Sequence, residues 1–128
     1  MVWQLPVHFQ REQRQLEAAG ITSWEQLASL LDTDLRRLGR SGGASEARLT
    51  RLRGQARLVV EVGLEPPEAA LLLYAGIANR AGLAAADPHR LLVQMGRLQR
   101  SLTGMAAPLL DLTTLQGWIQ RARRRPTN

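Results

Sequence analysis

The chain has 128 residues, of which 45% are hydrophobic, 22% charged and 4% aromatic, and it contains no cysteine. A chain of this length buries one hydrophobic core but not two large ones. No stretch approaches the roughly 18 consecutive apolar residues of a membrane span, and the N-terminal sequence lacks the positive flank and apolar block of a secretion signal. We therefore expect one soluble cytoplasmic domain without disulfides and without membrane contact.

The positive charge is the most informative feature of the composition. Seventeen basic residues face eleven acidic ones, giving a net charge of +6, and every basic residue is arginine. Arginine pairs with phosphate and carboxylate through two parallel hydrogen bonds, as a nucleic-acid surface requires. A GC-rich genome, which replaces lysine with arginine throughout, would explain the same bias. Between positions 36 and 57, seven arginines accompany a single acidic residue: Arg36, Arg37, Arg40, Arg48, Arg51, Arg53 and Arg57.

Hydrophobic periodicity predicts helices almost throughout the chain and no strand, so the expected fold class is all-α. Thr22 and Glu25 have the spacing of a capping box and predict a helix start after a glycine break. Asp32 is suited to cap a short following helix. After a glycine-containing loop, Ser45 is a good N-cap for a helix that extends to about Val62.

The second half begins at a proline pair. Gly63 ends the preceding helix, and Pro66 and Pro67 begin the next one, because proline is tolerated in a first helical turn. Asp87 followed by Pro88 predicts a further helix that reaches Gly104. A loop through Pro108 then leads to Thr113 and Gln116, a second capping box, which predicts a closing helix before a basic tail.

The sequence aligns with itself at an offset of 56 positions, residues 15–35 on residues 71–91. The identities include Ala19-Gly20-Ile21 with Ala75-Gly76-Ile77. We interpret the repeated unit as a helix ended by Ala-Gly, a buried isoleucine, a tight turn and a second helix, which is helix-hairpin-helix-like. The alternative is helical punctuation that is common in any chain rich in alanine and leucine.

These elements predict two helix-hairpin-helix-like repeats packed as one compact domain. The expected divisions are an N-terminal segment (1–12), a first half (13–63), a second half with its closing helix (64–123) and a basic tail (124–128). Neither half buries enough apolar surface to be stable alone, so we expect them to share one core. The residues predicted to be buried are Ile21, Leu27, Leu49, Leu52, Leu72, Ile77, Leu83, Leu91 and Trp118.

A family resemblance covers about residues 13–123. It rests on the segments LEAAGIT, SEARLTRLRGQARL, GLEPPEAALLLYAGI, LAAADPHRLL, LVQMGRLQRSL and LTTLQGWIQRAR. They resemble the bacterial domain-of-unknown-function family 4332, and the resemblance implies helix-hairpin-helix-like units with no assigned reaction. Residues 63–68 depart from the family pattern, because Gly-Leu-Glu-Pro-Pro replaces a Gly-hydrophobic-Gly hairpin. Since prolines lack the N–H that would bind a phosphate, the departure argues against backbone phosphate binding at this turn.

No catalytic or cofactor constellation stands out. His8 and His89 are far apart in sequence and make a poor metal pair, and no serine lies near a histidine in a nucleophile-elbow pattern. The glycines of residues 39–45 lack the lysine and the strand-turn-helix setting of a nucleotide site. The acid pairs at 32/34 and 65/68 fit helix caps. We expect no enzymatic activity, no metal and no cofactor.

Two function classes remain open. The first is sequence-independent nucleic-acid binding, in which glycine-loop and helix N–H groups meet a phosphate and arginines supply charge. Its candidate residues are Arg40, Gly42, Gly43, Ser45, Arg48, Arg51 and Arg53. The second is a protein-interaction adaptor that binds through an apolar groove or an exposed aromatic residue. Among Trp3, Phe9, Trp24 and Trp118, we expect Trp3 to be the contact and Trp118 to be core.

Overall fold

A computed structural model of the chain describes residues 2–41, 45–101 and 111–124. Within these ranges it contains α-helices and no strand, which confirms the all-α fold class. A 3₁₀ turn (Val7–Phe9) precedes α1 (Gln10–Ala18), α2 (Trp24–Ala28), α3 (Asp32–Arg40) and α4 (Glu46–Arg57), and α4 continues as a π-helical turn (Leu58–Val62). The later helices are α5 (Pro66–Tyr74), α6 (Arg80–Ala84), α7 (Pro88–Ser101) and α8 (Leu112–Arg123).

Several predicted helix ends are confirmed. The Ser45 hydroxyl accepts the Arg48 N–H at 3.1 Å and caps α4. Gly63 ends the π-helical turn in the left-handed region at φ +80°, and Pro66 opens α5. Because only glycine adopts such a φ without strain, the chain can reverse direction directly after the long helix. The predicted breaks at Gly104 and Pro108, and tail residues 125–128, lie outside the described residues.

The predicted caps of α2 and α8 were wrong by one or two residues. Ser23, not Thr22, caps α2, and its hydroxyl accepts the Gln26 N–H at 3.2 Å. Asp111, not Thr113, caps α8, and its carboxylate accepts the Thr114 N–H at 2.7 Å. In each case the capping residue has extended backbone angles, and its side chain accepts the N–H of the residue three positions later.

The start of α3 also differs from the prediction, since Asp32 is the first helical residue and not the cap. The carboxylate of Asp34 accepts the Leu31 N–H at 2.8 Å. Glu68 does the same for the Glu65 N–H at 2.9 Å, ahead of α5. Both carboxylates therefore satisfy N–H groups at helix starts, as predicted for these acid pairs.

The two Ala-Gly-Ile turns have matching hydrogen bonds. Gly20 and Gly76 have φ of +87° and +88°. The Ile21 N–H donates to the Leu16 carbonyl and the Ile77 N–H donates to the Leu72 carbonyl, both at 2.9 Å. This is the six-to-one bond of a Schellman helix end. Helices α1 and α2 flank the first turn, and α5 and α6 flank the second. Helix α5 begins and ends 56 positions after α1, and α6 begins and ends 56 positions after α2.

Buried residues from both sides of Gly63 belong to one hydrophobic cluster. Seven of the nine residues predicted to be buried are buried: Leu27, Leu49, Leu52, Leu72, Leu83, Leu91 and Trp118. Ile21 and Ile77 were predicted wrongly, because each is only partly buried against that cluster. Each follows the turn glycine directly, so the core covers one side of its side chain and leaves the other open.

Gly54 brings α4 of the first half against the second Ala-Gly-Ile turn. A Cβ atom at this position would lie 1.7 Å from the carbonyl oxygen of Ala78. Helix α4 also contacts α5, and α8 contacts the π-helical turn. The halves thus meet through backbone as well as side chains. No helix among the described residues combines the length and apolarity needed to cross a membrane.

Candidate nucleic-acid interface

The seven arginines between positions 36 and 57 differ in their exposure. Arg36, Arg37, Arg40 and Arg51 are exposed, Arg48 and Arg57 are half-buried, and Arg53 is buried. Helix α4 causes this spread, because residues 48, 51, 53 and 57 point in different directions around its axis. The predicted site therefore divides into arginines that hold the fold and arginines that face solvent.

Arg53, one of the candidate phosphate contacts, is buried. It is 9% exposed, and its Nη2 lies 2.8 Å from the Asp32 carboxylate. Its Nη1 donates to the Leu30 carbonyl at 3.1 Å. The hydrogen bond and charge of Arg53 hold the pKa of Asp32 below its ordinary value. Since the folded pKa is lowered, this pair stabilises at neutral pH and its contribution is lost as the pH falls through that pKa.

Arg48 fastens the N-terminal segment to α4. Its Nε lies 2.6 Å from the carboxylate of Glu12, a residue only 3% exposed. Its Nη2 donates to the His8 carbonyl, and its guanidinium carbon lies 4.4 Å from the centre of the Phe9 ring. A buried carboxylate needs such a partner, because leaving it unpaired carries a large desolvation cost. Even so, 41% of the Arg48 side chain stays exposed.

Other arginines donate to carbonyls at helix ends. Arg57 donates to the Ala28 carbonyl at 3.2 Å, at the end of α2. Arg123 donates to the Ala84 carbonyl at 2.8 Å, at the end of α6. The last carbonyls of a helix have no partner within it, so these side chains satisfy them. Sequence reasoning missed this role, although the two alanines are 56 positions apart and so occupy equivalent places in the self-alignment.

The arginines left for solvent are fewer than the sequence predicted. Arg37 lies 3.0 Å from Asp34 and Arg36 lies 3.9 Å from Glu46, both on the surface, where such pairs are weak. Arg40 and Arg51 are exposed, and neither forms an ion pair with a described residue.

Two more of the predicted site residues, Gly42 and Gly43, lie outside the described residues. Ser45 is described, and its hydroxyl already accepts the Arg48 N–H as the cap of α4. That hydroxyl therefore contributes to the fold at this position. The glycine-loop part of the predicted phosphate contact stays a prediction.

Arg11 extends the solvent-facing charge beyond the predicted set. It is exposed on α1, one turn before Gln15 on the same side of the helix. Gln15 donates to the Leu38 carbonyl at 2.5 Å and to the Ser41 hydroxyl at 2.9 Å. These bonds hold α1, which carries Arg11, beside the end of α3, which carries Arg40. Sequence reasoning missed Arg11 because this proximity depends on how α1 and α3 pack.

Two aromatic rings lie beside the exposed arginines. His8 is exposed and Tyr74 is half-buried; their ring centres are 6.2 Å apart and their planes meet at 89°. The Arg51 guanidinium lies 5.9 Å from the buried Phe9 ring, next to Arg48. Burial raises the pKa of Tyr74, and the positive charges of Arg51 and Arg48 oppose that rise. We term His8, Arg48, Arg51 and Tyr74 the aromatic–basic patch.

Trp3, which was predicted to be the aromatic contact, is partly buried against the core, and its role as a contact stays a prediction. Its ring lies 5.2 Å from that of Trp24 in an edge-to-face arrangement. The indole N–H of Trp24 in turn donates to the Val2 carbonyl at 2.8 Å. The N-terminal segment is therefore held against the core through both tryptophans. Trp24, Phe9 and Trp118 are all buried, and among the described residues no group of three His, Asp or Glu is placed to hold a metal ion.

The structure so far defines a compact all-α protein whose first and second halves each contain a glycine turn of the same geometry. A family model described as domain of unknown function (DUF4332) matches residues 6–125. The chain belongs to this family, as the sequence resemblance implied. No curated protein and no solved structure matches the chain.

Proposed function

We propose that the chain is a non-enzymatic binding module, built from two helix-hairpin-helix-like units, that holds the nucleic-acid backbone without reading its sequence. The observation that carries this proposal is the solvent-facing charge of Arg11, Arg40 and Arg51, none of which forms an ion pair with a described carboxylate. Guanidinium groups without a protein partner can exchange counterions for phosphates, which is the main source of sequence-independent affinity.

Charge and fold add support. The net charge of +6 favours association with a polyanion. The ion pairs of Arg48 with the buried Glu12 and of the buried Arg53 with Asp32 hold α1, α3 and α4 together, so the exposed arginines sit on a framework fixed in advance. Such preorganisation lowers the entropic cost of binding. The phosphate-contact surface that we propose is Arg11, Arg40 and Arg51, with the half-exposed Arg48 beside them.

The test is a fluorescence-anisotropy titration against a DNA oligonucleotide at increasing salt, starting at about 50 mM. Each phosphate contact contributes about −0.7 to −0.9 to the slope of log affinity against log salt. Replacing Arg11, Arg40 and Arg51 together with glutamine should flatten the slope by about two to three units. Because all three side chains are exposed, the circular dichroism spectrum should not change.

A matched control removes the same charge elsewhere. Arg90, Arg97 and Arg121 are exposed on α7 and α8, and none forms an ion pair with a described residue. Replacing these three with glutamine should leave most of the slope in place. The proposal fails if the wild-type chain shows no binding at about 50 mM salt, or if the two triple variants lose slope equally.

The second candidate function is a protein-interaction adaptor. It is favoured by the number of arginines already engaged inside the fold, and by exposed large apolar side chains at Val2, Val7, Leu31, Val60 and Val93. An adaptor would bury some of these side chains against its partner. If the titration shows no nucleic-acid binding, the adaptor becomes the preferred function.

A further inference from the structure

The aromatic–basic patch indicates which form of nucleic acid would bind. His8 and Tyr74 meet at a right angle, so their rings form a corner open to solvent on the His8 side. A flat ring stacked on the face of one of them would turn its own edge towards the face of the other. Offset and edge-to-face contacts are the two favourable arrangements of aromatic pairs. Such a corner would offer one flat heterocycle two aromatic contacts at once.

The backbone that carries His8 is held in place by contacts within the fold. Arg48 holds the backbone of His8 through its carbonyl and is itself fixed by the buried Glu12. The neighbouring Phe9 is 2% exposed and its N–H donates to the Pro6 carbonyl at 2.9 Å. Tyr74 is the last residue of α5. His8 is thus held to α4 while its ring faces solvent, which is the arrangement of a contact residue and not of a core residue.

The charge beside the corner suits a phosphate. Arg51 is exposed, and its guanidinium and that of Arg48 both lie within 6 Å of the Phe9 ring centre. A nucleotide carries its phosphate next to its base, so a base in the corner would bring a phosphate towards these two arginines. Proteins that bind single strands combine a basic surface with aromatic side chains on which unpaired bases stack. Duplex DNA offers no unpaired base to such a corner.

We infer that the ligand is single-stranded, and that one unpaired base stacks in the corner of His8 and Tyr74 while its phosphate pairs with Arg51. This inference rests on the proposed backbone binding and adds base stacking to it. The stack is independent of sequence, because every base has an aromatic face.

The experiment separates the bases from the backbone by using three labelled probes in one anisotropy assay. The probes are an oligothymidylate of about 16 nucleotides, an abasic strand of the same length, and a duplex of that length. All three carry phosphates, but only the first presents accessible bases. The wild-type chain should bind the oligothymidylate about tenfold more tightly than the abasic strand.

The variants test the corner itself. Tyr74→Leu removes the ring and should lower affinity for the oligothymidylate to that for the abasic strand, whereas Tyr74→Phe keeps a ring and should retain the difference. His8→Leu at the exposed ring gives a second test if Tyr74→Leu fails to fold. Neither leucine variant should change affinity for the abasic strand, because the arginines remain.

The outcomes distinguish the two proposals. Equal wild-type affinity for the oligothymidylate and the abasic strand, or tighter binding of the duplex, overturns the stacking inference and leaves backbone binding in place. A tenfold preference that survives both leucine variants also overturns it, since the bases would then stack elsewhere. Absence of binding to all three probes at about 50 mM salt overturns both proposals.

Discussion

Arg53 carries its charge on the covered side of α4, where the guanidinium meets the Asp32 carboxylate and the Leu30 carbonyl. The sequence could not show this. On a helical wheel Arg53 flanks the apolar stripe, a position compatible with either solvent or a buried partner. The partner lies 21 to 23 positions earlier in the chain, and only the packing of α3 on α4 brings it within reach.

We predict that Arg53→Gln lowers the free energy of unfolding by about 1–3 kcal/mol, because it leaves the part-buried Leu30 carbonyl without its donor and removes the charge that pairs with Asp32. Urea denaturation measures this change. The control is Arg40→Gln, which removes an exposed arginine and should shift stability by no more than about 0.5 kcal/mol. Equal stability of the two variants would show that Arg53 is solvated after all.

At the scale of helices and turns, local chemistry made the sequence informative. Gly20, Gly76 and Gly63 each mark a helix end because the left-handed backbone there selects glycine. The Ser45 cap was also predictable from local chemistry, since a short polar side chain before an apolar stripe can accept a free N–H at the helix start. The predicted cap of α2 was one residue too early because Thr22 and Ser23 are adjacent and both are residue types that cap helices. Only the backbone angles decide between them.

Contacts between helices could not be predicted from the sequence. Nothing in the residues around Gly54 signals that a carbonyl from the second turn lies against it, although a glycine inside a helix suggests some close approach. The same holds for His8 and Tyr74, which lie on separate elements 66 positions apart and show no shared periodicity. The candidate residues therefore left out the two rings of the aromatic–basic patch and included Arg53, which the fold uses internally.

We predict that Gly54→Ala lowers the free energy of unfolding by about 3 kcal/mol or more, because its Cβ would lie 1.7 Å from the Ala78 carbonyl oxygen and force α4 away from the second turn. Gly117→Ala on α8 is the matched control. A Cβ there meets no atom within 4 Å, so alanine should be neutral or stabilise by up to about 1 kcal/mol. Urea denaturation of both variants distinguishes them. A neutral Gly54→Ala would mean that this backbone contact is absent in solution.

At the scale of the whole molecule, the single core predicted from the chain length is the one that the structure contains. The length predicted one core, and the buried cluster includes residues from both sides of Gly63. The distribution of charge did not follow from composition, because a net charge of +6 is compatible with arginines that mostly pair inside the fold. Counting arginines therefore overestimated the number that face solvent without a partner, because some of them pair with carboxylates or with carbonyls at helix ends.

We predict that the two halves unfold in one cooperative transition, because α4 contacts α5, α8 contacts the π-helical turn, and neither half of about 60 residues buries enough apolar surface alone. The tryptophans allow each half to be followed separately. A Trp118→Phe variant leaves fluorescence only from Trp3 and Trp24 in the first half, and a Trp3→Phe/Trp24→Phe variant leaves only Trp118 in the second. Within each variant, the urea midpoint from fluorescence should coincide with that from far-ultraviolet circular dichroism. Midpoints that separate, or limited proteolysis that releases two independently folded fragments, would show that the halves are separate domains.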